Sequence, residues 1–208
     1  MNLSSKILAV CAVVCLAIGP SLAIAQQSTS GSDRQLDANM ASCLILGNQN
    51  EIAASKLAEK NSKNDQVKSF AQMMVKDHEK FIDELSKFTT QTYRDRNLSS
   101  TASVSKTNPL PAEGNAWALQ AQIGHEIADE CLASINKELG NKQGNEFDDC
   151  YMGMQIGAHM KMIDELKVLE RHASSKFQSV LREGKQTAEK HLERAKEIRK
   201  SIVSYTAK

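Results

Sequence analysis

The chain has 208 residues, with 26 Lys and Arg against 25 Asp and Glu, three prolines and only 4% aromatic residues. A charge balance this close to zero offers no field to draw in nucleic acid or anionic lipid, and the scarcity of aromatic residues and proline suits a helical bundle better than a β-sandwich. The length fits one domain.

Residues 1–25 read as a secretory signal. Lys6 lies in a short n-region, Ile7–Gly19 is apolar, Pro20 breaks the run, and Ala23-Ile24-Ala25 forms an A-x-A site cleaved after Ala25. The apolar run is 13 residues long, well under the ~20 that span a bilayer. Neither Cys11 nor Cys15 follows a small residue late in that run, which argues against lipidation. The expected mature protein is exported, periplasmic or extracellular, and not inserted in a membrane. Its charge is balanced at 25 against 25 once Lys6 is removed, and it keeps Cys43, Cys131 and Cys150. An odd number of cysteines in an oxidising compartment predicts one disulfide and a leftover thiol.

Gln26–Ser32 is polar and reads as a flexible tether. The apolar periodicity then predicts a first helix over Asp33–Asn61, with Glu51 pointing inward among Gly47, Ala54 and Ser55. Asn61–Asp65 is a tight polar turn, and a second helix is predicted over Asp65–Thr92 with His78 on its inner face. Residues 94–115, rich in Ser, Thr and Pro, read as a long crossover loop. An accessory helix follows over 116–139, with Ile123, Ile127, Cys131, Ile135 and Leu139 at four-residue steps. A third bundle helix is predicted from an Asn145 N-cap to about Ala173, with Asp148 and His159 facing inward. After the turn at Ser174-Ser175-Lys176 a fourth runs to about Tyr205 with His191 inward. Cys150 faces away from the axis toward the accessory helix, so a Cys131–Cys150 disulfide with Cys43 as a buried thiol is expected.

Phe70–Leu85 and Tyr151–Leu166 match without a gap at an offset of 81 positions, including His78 with His159 and the shared Ile-Asp-Glu-Leu ending. Such a match indicates duplication of a helical unit. Counting residues from each turn at 1.5 Å per residue brings Glu51, His78, His159 and His191 near one level, so these four are the candidate metal ligands. Asp77 and Asp148 are the candidate outer hydrogen-bond partners. Three histidines and a carboxylate suit one borderline ion such as zinc, copper or iron; the alternative is a buried polar network without metal. Met73, Met74, Met152, Met154, Met160 and Met162 surround the repeat and would favour Cu(I) as thioether ligands, although methionine at helical spacing is more often core filler. His125 and His172 read as surface residues.

FAQMMVKDHEKFIDEL, EFDDCYMGMQIGAH, EKHLERA and the Asn50-Glu51 segment resemble the motifs of the bacterial domain-of-unknown-function 4142 family, over about Asp33–Ser201. That family is assigned to the ferritin-like superfamily and often labelled putative outer-membrane protein. The resemblance implies an all-α, ferritin-like antiparallel four-helix bundle over 33–206, made of two hairpins, a long crossover and one accessory helix. The label implies little about membrane insertion, because no β-barrel alternation or spanning run is present. The Glu-x-x-His motif of di-iron members is missing, since Val75, Ile156 and Ala188 stand three residues before the histidines. A metal-dependent oxidase is therefore the weakest reading. With no nucleophile elbow, phosphate loop or CxxC pair, the sequence argues for an exported metal-binding bundle or a structural, partner-binding module rather than an enzyme. It names no protein partner and leaves self-association open.

Overall fold

A computed structural model describes residues 29–89 and 116–206, with side chains over 33–89 and 119–204. The signal sequence with its cleavage site and the 94–115 crossover lie outside the described residues. Five helices and no strand occur among those described: α1 Thr29–Asn61, α2 Asp65–Ser86, α3 Ala116–Gly140, α4 Gly144–Glu170 and α5 Ser175–Thr206. The all-α class expected from composition and periodicity is therefore what the chain adopts.

Local chemistry sets the helix ends. Asn64 caps α2, its side-chain oxygen accepting from the amides of Gln66 at 2.9 Å and Val67 at 3.4 Å. The α4 start differs from expectation, because Gln143 rather than Asn145 is the cap residue. Gly144 there has φ of 55°, a left-handed conformation that glycine adopts without the strain a side chain would bring. Ser174 caps α5 by accepting from the Phe177 amide. α1 begins at Thr29, inside the stretch read as a tether, and α2 stops at Ser86, short of Thr92, where the Lys87 amide turns back onto Glu84 and Leu85.

The short turns make α1/α2 and α4/α5 antiparallel hairpins, which meet mainly through α2 against α5 and more lightly through α1 against α4. α3 lies along α1 and runs parallel to it, because Leu46 touches the Gly124 position and Asn50 donates to the Ala128 carbonyl at 2.9 Å. It thus carries the chain back along the bundle before α4 descends. Two buried aspartates clasp the hairpins together. Asp37 of α1 accepts from both the amide (3.0 Å) and the hydroxyl of Ser174 in the α4–α5 turn, and buried Asp148 of α4 faces Ser62 in the α1–α2 turn.

The core is split into two apolar blocks. One is built from Ala54, Ala58, Phe70, Met74, Phe147, Tyr151, Met152, Ile198 and neighbours. The other gathers Met40, Leu44, Leu85, Leu166, Phe177 and Leu181. On every bundle helix the numbering jumps between the blocks, and the residues skipped include Asn48, His78, His159 and His191. A polar layer therefore separates the two blocks.

Candidate metal centre

Each histidine is held by a partner that dictates which ring nitrogen carries the proton. The Nδ1 of His159 lies 2.8 Å from the Gln155 carbonyl one turn earlier on α4. A carbonyl only accepts, so that nitrogen is protonated and Nε2 keeps a bare lone pair. The Nε2 of His191 lies 3.0 Å from a carboxylate oxygen of Asp77 on α2, which places its proton there and leaves Nδ1 bare in the neutral ring. Asn48 donates its side-chain nitrogen to the Leu44 carbonyl at 2.6 Å. That fixes its amide oxygen toward His78, whose Nδ1 lies 2.6 Å away. The Nε2 of His78 is consequently bare too, and it is buried with no partner.

These rings meet at the centre of the bundle. Centroids are 5.7 Å apart for His78 and His159, 5.5 Å for His78 and His191, and 5.2 Å for His159 and His191. One ring nitrogen from each lies within 4.8 Å of the others, and the group could hold a metal ion. The Nε2 of His159 and Nδ1 of His191 are only 3.2 Å apart, close to the ~3.3 Å between two nitrogens bound tetrahedrally to one ion at roughly 2.0–2.1 Å. With both rings neutral two lone pairs face each other at that distance, whereas a proton on His191 Nδ1 makes the contact a hydrogen bond to His159. Burial pushes the pKa of His191 down, against the pull of Asp77. Burial and the two neighbouring rings push that of His78 well below its ordinary value. His78 and His191 are thereby both biased toward the neutral ring, which is the state a metal requires of its ligands. Each far nitrogen already donates to an oxygen, as ligating histidines do.

Not all of the expected constellation converges. His78, His159 and His191 come together, and Asp77 takes its expected outer position. Glu51 stands outside the set: it is half-buried and accepts from the Gln155 side-chain nitrogen at 2.8 Å. Its carboxyl is desolvated, which raises its pKa, an effect moderated by His159, Gln155 and Lys161. The sequence reading centred the α1 stripe on Glu51 and Gly47, yet Gly47 is exposed and fully buried Asn48 occupies the centre. Asp148, eleven residues before His159 and so roughly 16 Å along the helix, belongs to the turn clasp and not to the histidines. Gly184 on α5 has no room for a side chain, since a Cβ there would lie 2.5 Å from Phe81.

Cys131 and Cys150 are unbridged in the structure. Cys150 is buried, and its neighbouring charges on the α3 side are Glu138 and Lys142, about two turns beyond Cys131. Of the methionines, Met74 and Met152 fill one apolar block, Met162 packs on the other, and Met160 is exposed. His172 is exposed and His125 half-buried on α3.

Sequence reasoning missed Asn48 and Gln155 as partners of the site. A short polar residue in a polar run (Gly47-Asn48-Gln49-Asn50) looks like surface, and a main-chain acceptor has no sequence signature.

An all-helical bundle whose central layer buries three converging histidines is a helical protein with a group able to hold a metal ion. The chain belongs to the family described as domain of unknown function DUF4142, whose model matches residues 21–198. No curated protein matches the chain, and no solved structure does. Among the described residues no helix is long and apolar enough to cross a membrane.

Proposed function

We propose that this protein is an exported, ferritin-like helical bundle that binds one transition-metal ion through His78, His159 and His191. The observation that carries the reading is the buried, unpartnered Nε2 of His78 converging with ring nitrogens of His159 and His191 that face each other at 3.2 Å. Hydrogen bonding within the layer leaves the His78 nitrogen unmet, whereas one cation satisfies all three rings. Three neutral imidazoles favour a borderline ion such as zinc, copper or iron(II) over a hard one such as magnesium or calcium. Asp77 tightens the site from outside by fixing the His191 ring. The absence of a carboxylate from the converging set speaks for retention of the ion rather than a di-iron oxidase.

Metal-free protein titrated with zinc in a calorimeter should bind one equivalent, and His159→Ala should bind none while keeping its helicity. His172→Ala, altered at the surface, should bind like the parent. A parent protein that binds no zinc, copper or iron(II) would leave the histidines as a purely structural network.

A further inference from the structure

The surroundings of the three histidines bear on the charge and coordination number of the ion they would hold. His78, His159 and His191 are 3%, 0% and 3% exposed, and their ring centroids form a nearly equilateral triangle with sides from 5.2 Å to 5.7 Å. The triangle lies between the two apolar blocks. Among the described residues no carboxylate or thiolate joins the three within 4.8 Å. Ligating imidazoles are neutral, so nothing in this set cancels the charge of an ion. The cost of burying a charge grows as its square, which makes a divalent ion about four times as costly as a monovalent one of equal size. One carboxylate touches a ring, that of Asp77 on the Nε2 of His191, and it offsets a single positive charge. Glu51 is bonded to the Gln155 side chain and not to a ring, and burial disfavours its ionised form. Coordination number points the same way. Zinc on three histidines takes water in its fourth position, and water must be carried into this closed layer to fill it. Cu(I), with a filled d shell, is satisfied by three nitrogens.

We infer that the ion this layer selects is monovalent copper, Cu(I), held in three-coordinate form by His78, His159 and His191 alone. This rests on the three-histidine reading and narrows it to one charge and one coordination number. Three neutral rings, one positive ion and the Asp77 carboxylate together carry no net charge. Divalent ions still bind the imidazoles, but more weakly.

The test is titration of the metal-free full chain without oxygen, with Cu(I) competing against bicinchoninate and with Cu(II) and zinc each competing against a chelator of known affinity. Thiols also bind Cu(I), so the titrations are repeated on a Cys43→Ser, Cys131→Ser, Cys150→Ser variant, and in both proteins only the equivalent lost in His159→Ala is counted. That equivalent should bind Cu(I) at least about a hundredfold more tightly than Cu(II) or zinc. Silver(I), monovalent and inert to oxidation here, should compete for it. X-ray absorption at the copper edge should show three nitrogens and no fourth ligand. Cu(II) or zinc held by the histidines as tightly as Cu(I), or an oxygen completing the Cu(I) shell, would overturn the copper assignment and leave the three-histidine reading standing. No uptake of any of these ions at the histidines, or sulfur in the shell of that equivalent, would overturn both.

Discussion

The two apolar blocks and the layer between them follow opposite rules. In the blocks, Phe177, Leu85, Leu166, Phe147 and Tyr151 are withdrawn completely from water, and each large apolar side chain contributes roughly 1.5–3 kcal/mol by burial. The layer buries Asn48, His78, His159 and His191 just as deeply, where a polar group costs about 1–3 kcal/mol unless fully bonded. One of its ring nitrogens has no partner at all. The ends of the bundle therefore supply the stability, and the middle draws on it, which is the cost a proposed metal ion would offset.

The largest effect separating the two regions is expected at Phe177. Phe177→Ala should cost about 3–5 kcal/mol, seen as a lower urea midpoint, while metal affinity under folding conditions stays unchanged. A matching loss of affinity would show that the layer and the block are one unit. Next come the clasps. Asp37 uses both carboxylate oxygens on Ser174, whereas one oxygen of Asp148 is buried without a partner and burial raises its pKa. Asp37→Ala should therefore destabilise by about 1–3 kcal/mol, and Asp148→Asn by less, in the same urea titration.

Acidification tests the layer alone. The unfolded chain binds protons at histidines near pH 6.5, while buried His78 and His191 resist protonation. The unfolded state thus holds more protons as the pH falls, so their stabilisation is complete above about pH 6.5 and is lost below it. Glu51 and Asp148, with raised values, act in the opposite sense, favouring the fold as they protonate nearer the carboxylate range. Metal-free protein should lose stability from pH 7 to 5.5, and His78→Gln should flatten that slope. The smallest effect is expected at Gly47, exposed in mid-helix with nothing within 4 Å of a Cβ. Gly47→Ala should raise the melting temperature by an amount equal to about 0.5–1 kcal/mol, whereas Gly184→Ala should lower it by driving into Phe81.

Periodicity was enough to find the helices, and their boundaries moved at α1, which starts at Thr29 inside the polar stretch, and where caps decided them, as at Gly144 and Ser86. The apolar stripes place His78, His159 and His191 inward at one level, and the structure brings their rings together. Glu51 shows the limit of facing angles: a residue somewhat off the centre of a stripe ends at the bundle edge, and a neighbouring amide then decides its partner. Cys131 and Cys150 show another. Facing can suggest the pair, but axial level depends on where the α3–α4 turn closes, which the Gly140–Gly144 region leaves undetermined to about a turn. The tautomers that make the centre persuasive depend on main-chain and amide oxygens, visible only in three dimensions.

X-ray absorption on zinc- or copper-loaded protein addresses the centre most directly. A first shell of nitrogen at about 2.0–2.1 Å for zinc, with the outer scattering of three imidazoles, is the predicted result, and His159→Ala should lose it. A shell containing sulfur, a shell of oxygen alone, or no bound metal in the parent would contradict the account.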